Sequence, residues 1–490
     1  MKKDYLSLTI LEIHDALVNK EVTPLELTLE ALKRAKENND NAFEIILEEE
    51  AINKAKSLEG KEVPKNKLMF GIPYAAKDNF STKGIETTGG SDILNGYVPL
   101  FDATVIKYLN EQDAILIGKT TLDELAMGGT GTSGHKGIQY NPYDLTHNHL
   151  IGGSSSGSAI SVASAIVPFA LGSDTGDSVR KPASFGGLVG FKPTWGLISR
   201  FGLFPFAPSL DHVAYFTRSI DDASSMLDIL AKYDENDSTN TYHKRPETYL
   251  SYDGNVKGKK IAVIKEIIDS IKDKDLLNSF NKSIEELRND GAVVDFVSMD
   301  SNLLKAIYPA YIVISSSEAT SNNANLDGIK FGPNYGGNTY EEVMFNARTK
   351  GFSNLIKRRF VLGSYALMSE NQEEVFLKAQ KIRRLIVEAT NSILKEYDAI
   401  YALASPTTAP KFNESSDKLS STYLIADNWL GIGNFGGYPS VTLPIGFKDG
   451  LPFGANLTSK PFDEINMFNI AKSIENHTNL KNVSTLNYKK

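Results

Sequence analysis

Apolar positions in the first sixty residues recur at helical spacing. In "TPLELTLEALKRAKENN", Leu25, Leu27, Leu29 and Leu32 are the apolar positions. Thr23 is placed to cap the helix and Pro24 to occupy its first position, so the pattern predicts a helix from Pro24 onward. The opening "MKKDYLSLTILEIHDALV" breaks its apolar run with Glu12, His14 and Asp15, which predicts an amphipathic helix rather than a secretory leader. "AINKAKSLEG" predicts a short helix stopped by Gly60. Residues 1 to about 60 are therefore expected to be helical.

From about 67 to 230 the pattern changes. "LMFGIPYAA" and "AILIG" are short apolar runs that read as strands, and "DATVIKYLNEQ" between them reads as a helix. "SAISVASAIVPFALGS" starts as a helix of small residues and ends as a buried strand. This alternation implies crossover units on a largely buried mixed or parallel sheet. Residues 235–257 are polar and read as a long connection. "KKIAVIKE" resumes a strand, and "DLLNSFNKSIEELRNDGAVVDFVSM" gives helix, glycine turn and strand. The stretch 340–397 reads as helical, "YDAIYALASPTTAP" as a strand entering a loop, "PSVTLPIG" as a strand, and 464–476 as a closing helix. There is no internal repeat.

The 490 residues suit one large α/β domain or two to three smaller ones. A net charge of -8 argues against nucleic-acid binding by bulk charge. The absence of cysteine excludes disulfides, thiolate metal sites and cysteine nucleophiles. No apolar run reaches the length of a membrane span, and the expected compartment is the cytoplasm.

Three polar stretches stand in the glycine-rich region. "GIPYAAKDNF" puts Lys77 at the end of an apolar strand; "IGGSSSGSA" holds Ser154, Ser155, Ser156 and Ser158; "GSDTGDSVRKP" holds Ser173 and Ser178. A lysine in a water-poor site loses its proton more easily and can serve as a base. Serine is a weak nucleophile until a base takes its proton, and serine–lysine pairs are one way to supply that base. Glycine-rich turns add backbone N–H groups for a developing oxyanion. The same residues also read as a solvated lysine and a flexible or phosphate-binding loop, and spacing alone leaves both readings open. His147 and His149 read as a surface loop rather than metal ligands, and Phe201, Phe204 and Phe206 as pocket wall or core.

Together the three stretches resemble the amidase signature family, with its Lys-Asp-Asn motif, Gly-Gly-Ser loop and Asp-Thr-Gly segment. Ser154 and Ser178 lie twenty-four positions apart, as the family's two serines do. The resemblance implies an α/β amidase-signature fold, a central mixed β-sheet covered by helices on both faces. It implies one domain over 1–490, with an N-terminal helical region to about 60, a catalytic core over about 67–230, and the remainder from about 258 completing sheet and pocket. It implies Lys77 as base, Ser154 as a bridging serine in a cis peptide with Gly153, and Ser178 as nucleophile. The backbone of Thr175, Gly176, Asp177 and Ser178 would form the oxyanion hole.

"TLDELAMGGTGT", "NPYD", "GLISRFGL", "SLDHVAYFTRS", "SSSEATSN" and "IKRRFVLG" resemble the A-subunit branch of glutamyl-tRNA(Gln) amidotransferases within that family. That branch hydrolyses glutamine and passes ammonia to a B subunit, which uses ATP and Mg to amidate glutamate on tRNA; a small C subunit wraps the pair. The resemblance thus implies subunits B and C as partners, tRNA reached through B, and no metal or cofactor in this chain. Tyr311, Arg359 and Asp427 would hold glutamine, with Arg358 adjacent to the arginine position. Arg359 can fork onto an α-carboxylate and Asp427 can pair with an α-ammonium.

Several positions depart from the family's pattern. Asp177 stands where glycine is usual, Lys181 and His212 where glutamine is usual, Ile151 where proline is common, and Ala214–Tyr215 where Gly-Pro is usual. Asp177 is expected to disfavour the oxyanion and to keep Lys77 protonated, and to be strained if its φ must be positive. Three readings follow. The chain is an active glutaminase within a larger complex, or a stand-alone amidase on another amide, or a weakly active or inactive homologue retained for assembly.

Overall fold

Eleven strands form one sheet in the computed structural model, which describes residues 3–240, 245–414 and 417–488. In chain order they are β1 (Phe43–Ile46), β2 (Pro73–Lys77), β3 (Ile115–Thr120), β4 (Ala170–Asp174), β5 (Val189–Lys192), β6 (His212–Thr217), β7 (Lys260–Ile264), β8 (Val293–Val297), β9 (Ala399–Leu403), β10 (Ser440–Lys448) and β11 (Leu451–Ser459). Across the sheet they run β1-β3-β2-β4-β6-β5-β10-β11-β9-β7-β8. β2 is parallel to both β3 and β4, and β7 to both β8 and β9. The central strands pair antiparallel, β4 with β6, β6 with β5, β5 with β10, β10 with β11, and β11 with β9. The sheet is mixed, one of the two arrangements the apolar pattern leaves open.

β2, β4 and β9 are buried at every position, which fits strands covered on both faces. Helices flank them. The helix Ser156–Ala163 is made mostly of small residues, all buried, so it packs closely against β2, β3 and β4. The parallel register of β2 with β4 delivers Lys77 and the Ser173–Asp174 pair to the same end of the sheet. That end holds the site.

The N-terminal helices form, and the one from Pro24 carries its expected Thr23 cap. Thr23 and Glu26 make a reciprocal capping box on the helix Pro24–Glu37, and Thr9 and Glu12 do the same for Ile10–Val18. The expectation of helix throughout 1–60 fails at Phe43–Ile46. This short run, with Phe43 and the β-branched Ile45 and Ile46, pairs antiparallel with β3 at the sheet's edge. The polar connection 235–257 carries no regular element among its described residues; 241–244 lie outside them. Among the described residues, no helix is long and apolar enough to cross a membrane.

Candidate active site

Lys77 ends β2 and is fully buried. Its ammonium nitrogen lies 2.7 Å from Ser154 Oγ and 2.9 Å from Ser173 Oγ. Asn79 Nδ2 donates to the same Ser173 oxygen at 3.0 Å, which fixes that hydroxyl from a second side. Burial is the main influence on Lys77 and brings its pKa from 10.5 down to about 7; the carboxylates of Asp123, Asp174 and Asp211 oppose the fall. A lysine in this state accepts a proton near neutral pH.

Ser154 follows a cis peptide bond from Gly153. Asp123 organises this turn. Its carboxylate accepts from the backbone N–H groups of Thr130, Gly131, Thr132 and Ser133 at 2.9–3.0 Å, and from Ser133 Oγ at 2.8 Å. Its own N–H donates to Ser154 O at 3.2 Å. A Cβ at position 153 would sit 2.0 Å from Asp123 Oδ2, so only glycine fits there. Asp123 thus ties the glycine-rich loop to the serine turn. "TLDELAMGGTGT" contains the signal for it, a carboxylate followed by a glycine-rich run whose N–H groups need an acceptor.

The segment after β4 is held by a buried charge network. Arg180 Nη2 lies 2.9 Å from Asp174 Oδ1 and donates to Gly176 O at 2.8 Å and Asn434 Oδ1 at 2.6 Å. Burial disfavours charge on Asp174, but Arg180 overcomes it and holds the carboxyl well below the usual range. Val179 N–H donates to Asp174 Oδ2, and Thr175 Oγ1 to Asp211 Oδ1. Among the described residues, the backbone N–H groups of 175–178 meet no protein acceptor. They are free to serve an oxyanion. A Cβ at Gly176 would fall 2.9 Å from the Tyr311 ring, so glycine lets that ring lie directly over the turn.

Ser178 is buried, and its carbonyl accepts from Ser155 N–H at 3.2 Å. The backbone therefore sets Ser178 beside the Ser154 turn. Lys77 donates to Ser154, while the Ser178 hydroxyl makes no hydrogen bond among the described residues. Catalytic contacts commonly tighten only with substrate in place.

Tyr311 sits on the helix Ser301–Asn322 and Arg359 on Asn354–Leu367. The Arg359 guanidinium stacks over Phe206 at 5.4 Å, and its Nε and Nη1 are buried without a hydrogen-bond partner. Arg358, next to it, lines a surface groove with Asn354, Val361 and Tyr365. Of the two arginines, Arg358 is exposed and Arg359 carries the buried guanidinium nitrogens. Asp427 accepts from Lys181 Nζ at 3.0 Å, and Asp177 Oδ2 lies 3.1 Å from the same nitrogen.

The expected hold of Asp177 on the protonation of Lys77 is not what the structure shows. Its carboxylate faces Lys181, and the charges acting on Lys77 are those of Asp123, Asp174 and Asp211. Its φ is not positive, so its side chain brings no left-handed strain. His212 is buried in β6 opposite Asp174, with Nδ1 2.7 Å from Leu210 O and Nε2 3.3 Å from Lys192 Nζ. Tyr215 is a core residue whose hydroxyl donates to Ala223 O. Phe206 is buried in the core, while Phe201 is exposed against Phe101 and lines a surface cleft. His147 pairs with Asp40 and His149 with Asp144. Among the described residues, no group of histidine, aspartate and glutamate has metal-binding geometry.

A family model described as Amidase matches residues 26–467. The A subunit of the glutamyl-tRNA(Gln) amidotransferase of Streptococcus mutans is 39% identical over 472 residues, 95% of each chain. The protein of the same name from Pediococcus pentosaceus is 37% identical over 474 residues, 96% of each chain. The crystal structure of the protein so named from Thermotoga maritima superposes with a TM-score of 0.78 at 35% identity, covering 97% of this chain and 96% of that one.

Proposed function

The chain belongs to the amidase family, and from that premise we propose that it is the glutamine-hydrolysing component of a tRNA-dependent amidotransferase. The observation that carries the reading is the buried contact of Lys77 with Ser154, beside Ser178 and backbone donors that meet no protein acceptor among the described residues. Neutral Lys77 takes a proton from Ser154 Oγ, which in turn takes the proton of Ser178 Oγ. The Ser178 oxygen attacks the side-chain amide carbon of glutamine. The oxyanion is met by the N–H groups of 175–178. The C–N bond breaks, the proton returns to the leaving nitrogen, and ammonia departs from a glutamyl ester on Ser178. Water, deprotonated by the same lysine, cleaves the ester to glutamate.

Arg359 would bind the α-carboxylate of glutamine, Asp427 its α-ammonium, and Tyr311 would close over it. Ammonia would pass to a B subunit that uses ATP and Mg to convert Glu-tRNA(Gln) to Gln-tRNA(Gln), with a C subunit stabilising the pair. The names of the relatives support this assignment. Co-expression with B and C partners should give a complex that releases ammonia from glutamine. Ser178→Ala should abolish that release. A Ser178→Ala complex that retains full glutaminase activity contradicts the assignment.

A further inference from the structure

Asp177 and Lys181 each look damaging when taken alone. Lys181 places a cation against Asp427, the carboxylate proposed for the substrate ammonium. Asp177 adds a negative charge beside the oxyanion turn. The structure joins them. The Lys181 nitrogen lies 3.1 Å from Asp177 Oδ2 and 3.0 Å from Asp427 Oδ1, and it also donates to the Asp427 carbonyl. Asp427 takes two hydrogen bonds from the ammonium, and Asp177 completes the cluster as an ion pair. Asp177 Oδ1 and Asp427 Oδ2 keep no hydrogen-bond partner among the described residues. The lysine side chain is 10% exposed, against 25% for Asp177 and 30% for Asp427, so the carboxylates are the more open members of the cluster.

Two carboxylates around one ammonium leave one net negative charge. Without Asp177, the Lys181–Asp427 pair would be neutral, and a substrate ammonium would meet a like charge at Lys181. The Tyr311 ring lies against Gly176, next to Asp177 in the chain, and Arg359 and Asp177 both act on its hydroxyl, so Tyr311 stands between the cation and the acidic cluster. A pocket with a guanidinium on one side and a net negative charge on another suits a zwitterionic amino-acid amide.

We propose that Asp177 is a specificity residue: it replaces the charge that Lys181 cancels at Asp427, so the pocket still selects an amide carrying an α-ammonium. The inference rests on the glutamine reading above. It makes the two substitutions a matched couple rather than two separate defects.

The test is calorimetric titration of the complex, assembled with its partner subunits and carrying Ser178→Ala, with two ligands. One is glutamine; the other is 4-carbamoylbutanoate, the same amide without the α-amino group. Adding Asp177→Gly should cut the preference for glutamine by about tenfold, the size of one charge-assisted contact. Binding of the analogue should barely change. Adding Lys181→Gln to Asp177→Gly should bring the preference back to within about threefold of its starting value. An unchanged preference in the Asp177→Gly complex overturns the proposal. So does an equal weakening of both ligands, which marks a purely structural ion pair. If the Ser178→Ala complex binds neither ligand, the glutamine reading itself falls and takes this inference with it.

Discussion

Replacing Lys77 with methionine tests the base through stability as well as through rate. The fall of its pKa from 10.5 to about 7 corresponds to about 5 kcal/mol of penalty on the charged form, at about 1.36 kcal/mol per pH unit. Between about pH 7 and 10.5 the folded chain holds fewer protons at this position than the unfolded chain. Native stability therefore rises with pH across that window, and the cost is fully present below it. Methionine removes the titrating group and keeps most of the volume. It also removes the two hydrogen bonds to Ser154 and Ser173, worth about 1 kcal/mol each. The absolute change at one pH is a small difference of these quantities, but its pH dependence is not. The stability of Lys77→Met relative to the unaltered protein should decline by about 2 kcal/mol between pH 7 and pH 9. Urea unfolding of both proteins at pH 7, 8 and 9 measures this. A difference that stays constant within about 0.5 kcal/mol across the series would refute a depressed Lys77. Ammonia release by the unaltered protein should rise with pH through about 7, because only the neutral lysine accepts a proton. The variant should lose at least about a hundredfold in kcat.

Three further outcomes follow from the geometry. Asp123→Ala should lose about 4 kcal/mol or more of stability by urea unfolding, because four backbone N–H groups and Ser133 Oγ lose their acceptor; a loss under about 1 kcal/mol would contradict the cradle. Arg359→Met should raise the KM for glutamine by about a hundredfold, the worth of a charge-assisted fork, while Tm holds or rises because Nε and Nη1 have no partner to lose. Thr23→Ala should cost about 1 kcal/mol by removing the cap at Glu26 N and should leave glutaminase activity unchanged.

The site is legible in the sequence where chemistry is concentrated in a few adjacent residues. The stretches around Lys77, Ser154 and Ser178 can be read because each lies on a strand end or glycine-rich turn of distinctive composition. The role of Asp123 is harder to read, since it depends on backbone donors arriving from residues 130–133. The pairing of Lys181 with Asp427 is invisible locally, because their positions are 246 apart and meet only in the fold. The helix Ser301–Asn322 escapes the pattern for a local reason: Pro309 and a run of three serines interrupt its periodicity, while packing against Asn354–Leu367 and Lys378–Glu396 sustains it. β11, "LPFGANLTS", contains proline, glycine and asparagine and has weak strand propensity. It forms because β10 and β9 pair with it on both sides. β1 shows the opposite effect, a short strand embedded in helical sequence and recruited by the edge of β3.

The central claim is that Ser178 carries the acyl group during glutamine hydrolysis. The direct measurement is peptide mass mapping of the assembled complex quenched in acid during turnover of glutamine. The account predicts a γ-glutamyl ester on the peptide containing Ser178, with the amount trapped falling to background in Lys77→Met. A glutamyl adduct on any other residue, or steady turnover with no adduct on Ser178 at any quench time, would contradict it.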